Sequence, residues 1–341
     1  MALLGILVFF CELIFLLLFA FFVVLPLMVI LFPGIVTTLF FLTFRRAPNT
    51  DYSDLSANGV TSLGRSFFLR GDEGNVGVWH ILPKSVASRY REKGGLLLDE
   101  EMEKILSEEK YPVIVYLHGN SFDRTYAHRI QMYNVWSKLD YNVVTFDYRG
   151  YGDSDGSPSE HGIVSDSRLV YEYVLHHSGK NTVLIWGHSM GTGVAVHLVS
   201  DLCLDKTPPD GLVLESPFNN FKDAMMNSIM GTPLSWMSPE MLQRYLLDPL
   251  KKAGLDMTSD KRIANITCPI LMMHAENDHV LSVTLGRKLR DAAVASKRDI
   301  KYVEFPTARN YKHKYIYLAP ELATLIPEFI AHVKQAKRKR G

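Results

Sequence analysis

Trp186-Gly187-His188-Ser189-Met190-Gly191-Thr192-Gly193 is the stretch on which the reading of this chain turns. The apolar residues 183–186 run straight into it, and a helix-like segment, 190–202, leaves it. A serine between glycines at a strand-to-helix junction is the setting of a nucleophile elbow. There the backbone turns too tightly for side chains and lifts the hydroxyl to the C-terminal rim of a sheet. The GxSxG pattern alone is weak evidence, since about 0.1 chance matches are expected in a chain of ordinary glycine and serine content. The flanking strand and helix give it weight.

On either side of it, short apolar runs at 113–117, 143–146, 183–186, 212–214, 270–273 and 302–305 read as buried parallel strands. Segments 66–69 and 76–82 read as leading antiparallel strands. Amphipathic stretches at 127–139, 158–177, 190–202, 285–295 and 320–337 fall between or after them as helices. The second is expected to start with a capping box, Ser157-x-x-Glu160, with Pro158 at its first position, and to close at Ser178-Gly179. Strand alternating with helix implies an α/β fold with a mainly parallel sheet, spanning about 66–333.

A serine hydroxyl needs a base, and the base needs a carboxylate to orient it. In folds with this elbow the chain order is serine, acid, histidine. Asp278 lies in the loop leaving the 270–273 strand, where functional groups of open α/β sheets collect. His313 is the one histidine between the last strand and the last helix. Ser189, Asp278 and His313 are therefore the expected triad, with Glu276 and Asp248 as rival acids. The remaining histidines, His188 and His274 among them, read as structural. An oxyanion hole needs two backbone N–H groups. Met190 supplies one. The loop Leu117-His118-Gly119-Asn120-Ser121 supplies the other, most naturally from Asn120.

Composition adds bounds. The 341 residues are 47% hydrophobic, enough for a large packed core. Lys and Arg number 37 against 36 Asp and Glu, so no global basic surface exists to capture nucleic acid. Three cysteines, Cys11, Cys203 and Cys268, form neither a disulfide framework nor a zinc pattern, and no metal site is expected. Residues 1–44 contain one charged side chain, Glu12, and are followed by Arg45 and Arg46. As one helix they would reach about 66 Å, roughly twice the hydrocarbon thickness. They read as an uncleaved membrane anchor: one span plus an interfacial segment, or two helices broken near Pro26 or Pro33-Gly34. A linker, 45–65, follows.

Arg45 and Arg46 favour a cytosolic catalytic side. The basic tail 334–341, with Lys337 and Lys339 fifth and third from the end, looks like a cytosolic retrieval signal for the endoplasmic reticulum. Against both, Asn265-Ile266-Thr267 is a glycosylation acceptor, useful only in the lumen. Two insertions interrupt the α/β rhythm, a charged one at 83–110 and another at 217–263. The second holds six of the thirteen methionines. It reads either as an extra packed helical pair or as a lid over an acyl pocket lined by Met225, Met230, Trp236 and Met237.

These residues carry a family resemblance. Phe32-Pro33-Gly34-Ile35, Gly77-Val78-Trp79-His80, Leu117-His118-Gly119-Asn120, the run from Val143 to Gly150, the elbow itself, Leu214-Glu215-Ser216-Pro217-Phe218 and Tyr311-Lys312-His313-Lys314-Tyr315 are similar to the membrane-anchored α/β-hydrolases of the abhydrolase-domain-containing protein 12 type. That resemblance implies the α/β-hydrolase fold, with Ser189, Asp278 and His313 as nucleophile, acid and base. It implies a lipase for lysophosphatidylserine and monoacylglycerol, working without a cofactor on a lipid substrate at the bilayer, with its catalytic domain in the lumen of the endoplasmic reticulum or outside the cell. Met190 stands where the family usually has Leu, which leaves the backbone donor unchanged. Other readings are a protein-depalmitoylating thioesterase, a peptidase of the same fold, and a membrane adaptor without activity. Cys11 alone, inside an apolar segment, argues against the acylated N-terminus usual for the first.

Overall fold

The computed structural model describes residues 2–32, 34, 40–45, 50–92, 98–227 and 236–340. Eight strands form one sheet: β1 (Gly64–Arg70), β2 (Asn75–Ile81), β3 (Val113–Leu117), β4 (Asn142–Phe146), β5 (Val183–His188), β6 (Gly211–Glu215), β7 (Ile270–Ala275) and β8 (Ile300–Phe305). Their order is β1-β2-β4-β3-β5-β6-β7-β8; β1 and β2 are antiparallel, and β3 to β8 run parallel. The central strands are buried on both faces, which is why they read as unbroken apolar runs.

Alternation along each strand sorts side chains to the two faces. Val113, Val115, Val183 and Ile185 pack with Val170 and Val174 of helix Glu160–Ser178, Val194 and Leu198 of helix Met190–Leu204, and Leu285 of helix Val283–Ala295. Ile114, Tyr116, Leu184 and Trp186 pack on the other face with Trp136 of helix Ala127–Lys138 and Phe329 of helix Leu322–Arg340. Each large side chain so buried contributes about 1.5–3 kcal/mol against its exposed state. The outcome is the expected α/β sandwich, with the C-terminal ends of β3, β5 and β7 meeting at one rim.

The second helix starts differently from what its sequence led one to expect. Its cap is Ser159, whose Oγ accepts from the Gly162 N–H at 3.0 Å, and Pro158 lies outside the helix. Glu160, freed from capping duty, turns inward. Its carboxylate accepts from the backbone N–H groups of Asp256 (2.7 Å) and Met257 (2.9 Å) and pairs with Arg262 and His197. One buried acid thus ties the 217–263 insertion to the sandwich. The final helix runs on through the basic residues to Arg340, and Lys337 Nζ bonds Asp210 and the Asn181 carbonyl.

The N-terminal segment is helical over Ala2–Phe19 and Leu25–Leu31, joined by a five-residue π turn, Ala20–Val24. The chain therefore does not break at Pro26. The widened turn ends just before it, and the backbone continues as helix. The other expected break, at Pro33, lies outside the described residues. Leu4–Val24 is long and apolar enough to cross a membrane, and none of it is buried in the fold.

Candidate active site

Ser189 directly follows β5 and caps the next helix, with φ 54° and ψ −123°. A non-glycine residue held there costs on the order of 1–3 kcal/mol, which the surrounding packing must over-determine. The glycines on either side make the approach possible. A Cβ on Gly187 would run into the Gly191 carbonyl, and one on Gly191 into the Leu117 carbonyl of the neighbouring strand. The Ser189 N–H donates to the Glu215 carbonyl at 3.0 Å, and its own carbonyl accepts from Thr192.

His313, from the segment after β8, lies with Nε2 2.9 Å from Ser189 Oγ and Nδ1 2.7 Å from Asp278 Oδ2. With Nδ1–H donating to the carboxylate, Nε2 is left as the acceptor facing the hydroxyl. Asp278 is held in turn: Oδ1 accepts from the N–H groups of Val280 (2.8 Å) and Leu281 (2.9 Å), and His274 Nε2 lies 3.2 Å from Oδ2. Burial would raise the Asp278 carboxyl, but the His313 ring and the hydrogen bonds from both histidines outweigh it and hold it far below the usual carboxylate range. It therefore faces His313 as an anion at neutral pH.

The rival acids lie elsewhere. Glu276 accepts from the Thr307 N–H, and Asp248 accepts from Gln243 within the insertion. His188 is buried, its Nε2 bonded to the His313 carbonyl, and burial holds its ring neutral.

The loop after β3 passes close to the elbow, with the Gly119 backbone tight against Ser189. Among the described residues the amide N–H groups of Asn120 and Met190 have no acceptor, and both residues line the cavity beside Ser189. The loop is pinned from behind. The Arg129 guanidinium donates to the carbonyls of Gly119, Ser121 and Asp123, and Tyr151 donates to Asn120 Oδ1 at 2.8 Å.

A cavity of about 280 Å³ opens over Ser189. Its apolar wall comes from Phe218, Phe221, Met225 and Met257 of the insertion, with Val280 and Leu281 from the Asp278 loop. Met225 is thus placed as expected, and Met230 lies outside the described residues. Trp236 and Met237 are not in this wall. They share a separate crevice with Phe22, Val23, Leu27 and Ile30 of the N-terminal helices, where the Trp236 and Phe22 rings sit 4.4 Å apart. Their apolar surface is spent on the helix that precedes the domain.

Sequence reasoning missed a whole side of the cavity. Phe40 and Leu42 belong to the end of the apolar segment and Arg45 directly follows it, yet they line the site. Asn120 draws them in: its amide donates to the Phe40 carbonyl at 2.8 Å and its Oδ1 accepts from the Leu42 N–H at 3.2 Å. Leu42 also bridges Ser121 in parallel register, and the Phe40 ring packs edge-on against Phe221. No local sequence signal marks contacts spanning 78 residues.

The sheet order, elbow and hydrogen-bonded Ser189, His313 and Asp278 define an α/β-hydrolase. Solved structures agree on the fold: an esterase of Pyrococcus furiosus matches with TM-score 0.58 at 16% identity, covering 84% of this chain and 97% of its own. An alpha-beta hydrolase from Vibrio vulnificus gives 0.58 at 19%, covering 80% and 82%. A family model described as serine aminopeptidase, S33, matches residues 109–262. Relatives narrow the assignment. Lysophosphatidylserine lipase ABHD12 of Xenopus tropicalis is 40% identical over 92% of this chain and 81% of that protein, and the Rattus norvegicus protein of the same name is 38% identical over 91% and 77%. Protein ABHD12B of Homo sapiens is 32% identical over 78% and 72%. This chain belongs to the ABHD12 family.

Proposed function

We propose that this protein is a membrane-anchored serine hydrolase that cleaves the acyl ester of single-chain lipids, lysophosphatidylserine and monoacylglycerol among them. His313 Nε2 takes the Ser189 proton as Oγ attacks the ester carbonyl. The Asn120 and Met190 amides receive the oxyanion, and the negative charge of Asp278 stabilises the imidazolium. Collapse of the intermediate expels the glycerol oxygen, which takes the proton from His313. Water, deprotonated by the same ring, then releases the fatty acid and restores Ser189. No step needs a metal or organic cofactor.

The observation that carries this reading is the continuous chain from Ser189 Oγ through His313 to Asp278 at the floor of an apolar cavity. Membership of the ABHD12 family points to the lipid class. The N-terminal helix would hold the site beside a bilayer, and the family resemblance supports the endoplasmic reticulum as that membrane, with the domain lumenal. Asn265 is exposed, as an N-glycan acceptor must be.

The test is turnover of lysophosphatidylserine, monoacylglycerol, an acyl thioester and a peptide by the full chain and by Ser189→Ala. Lipid esters are expected to turn over, with a loss of about 10⁶-fold in kcat for the variant and an unchanged thermal transition. Retained activity in Ser189→Ala, or peptide as the preferred substrate, would end the reading. A glycosidase-sensitive mass shift lost in Asn265→Gln checks the lumenal assignment.

A further inference from the structure

The cavity over Ser189 is electrostatically one-sided. Among the described residues its wall contains Arg45, Arg129 and Lys314 and no carboxylate. Arg129 is buried and its two terminal nitrogens are engaged by the three loop carbonyls. The other two are different. Arg45 is exposed, and its guanidinium has no carboxylate partner among the described residues. Lys314 is half-buried with Nζ 3.5 Å from the Tyr126 hydroxyl and 5.0 Å from the centre of that ring, also without an acidic partner there. His128 lines the same cavity, 9% exposed, with neither ring nitrogen hydrogen-bonded among the described residues. Burial and the neighbouring positive groups keep that ring neutral, so it carries one free N–H.

Cations without a carboxylate partner and a buried orphan donor beside an apolar wall are complementary to an amphiphile with an anionic head, and the orphan donor is costly while unpartnered. We propose that Arg45, Lys314 and His128 form a phosphate subsite at the cavity mouth, which takes the headgroup phosphate of a single-chain phospholipid while its acyl chain lies along Phe40, Phe221 and Met225. This rests on the hydrolase reading and adds to it the residues that separate a phospholipid from a neutral lipid. It also gives the juxtamembrane segment a second role, because Arg45, which follows the anchor directly, becomes part of substrate recognition.

The experiment measures kcat/KM of the full-length protein in detergent micelles for lysophosphatidylserine and for monoacylglycerol, and compares their ratio among variants. Lys314→Met keeps an unbranched chain over Tyr126 and removes the charge; Arg45→Gln removes the other charge. Each is expected to lower the ratio about 10-fold, the worth of one charge-assisted hydrogen bond, and Lys314→Arg to restore it. A ratio within two-fold of the unaltered protein's in the double variant overturns the subsite. Inorganic phosphate, lacking a chain, is expected to leave monoacylglycerol turnover unchanged at millimolar concentration. Inhibition that the double variant relieves would instead assign the subsite to the free ion. An unaltered protein that turns over neither lipid would refute the hydrolase reading, a separate result.

Discussion

The rim of the sheet and the wall of the cavity above it are built by opposite means. At the rim, Ser189, Asp278 and the Gly119–Asn120 turn leave the ends of parallel strands in one sheet, so the backbone ladder of β3, β5, β6 and β7 places them. The wall is assembled from distant pieces. Residues 40–45 come from where the apolar segment gives way to the linker, and Phe218, Phe221, Met225 and Met257 from the insertion, joined to the domain by the hydrogen bonds of Asn120 and Glu160. The rim holds reacting atoms within hydrogen-bond distance, and in the function proposed above the wall is what receives the lipid. A chain can exchange the wall and keep the chemistry.

Breaking the rim is expected to give the largest effect. Asp278→Asn keeps the shape but presents an amide to His313, and the tautomer needed at Nε2 is lost; kcat is expected to fall about 10⁴-fold. A pH–rate profile that leaves kcat within ten-fold of the unaltered protein would remove Asp278 from the proposed mechanism.

Breaking the wall is expected to cost stability and affinity before rate. Glu160→Gln weakens the clamp on Asp256, Met257 and Arg262, with an expected loss of about 2 kcal/mol in urea unfolding at pH 7 and a raised KM. Burial opposes ionisation of Glu160, but the His197 bond, the two backbone bonds and Arg262 outweigh it and hold its carboxyl below the usual glutamate value. Its contribution is therefore complete above that ordinary value and is lost as pH falls through the lowered one. The two proteins should converge in acid; a gap as wide at low pH as at neutral would show that the clamp is not ionic.

The smallest effect sharpens the boundary between the regions. Glu215 ends β6 beneath the elbow, fully buried, and burial pushes its carboxyl up to about 7 despite a bond from Trp186 Nε1. Between the ordinary glutamate value and about pH 7 the folded protein holds a proton that the unfolded chain has released, so stability falls as pH rises through that window. Glu215→Gln should flatten the thermal transition across it and raise it modestly at pH 8. An unchanged pH dependence would mean that Glu215 ionises in the fold without penalty.

Much of the rim was legible in the sequence because each of its parts has a local signature. Ser189 sits among glycines between an apolar strand and a helix, Asn120 follows His118-Gly119 after another strand, and Asp278 lies just past a third. His313 followed from chain order rather than from its neighbours. The wall was hardly legible. Methionine richness pointed to the right insertion, and Met225 does line the cavity, but Trp236 and Met237 face the N-terminal helices. Composition says that apolar surface will be covered without saying by what. Ser157 read as the cap of its helix, and the path of the chain chose Ser159 instead.

Local sequence was enough for the alternation of strand and helix, the elbow, and an apolar segment with the length and hydropathy to cross a membrane, because periodicity and glycine placement act over a few residues. It took the folded chain to bring Phe40, Leu42 and Arg45 into one cavity with Ser189 and Lys314, and to turn Glu160 toward the insertion instead of its own helix. Those outcomes depend on which buried polar groups find partners across the fold, and that is settled by the global packing of the chain.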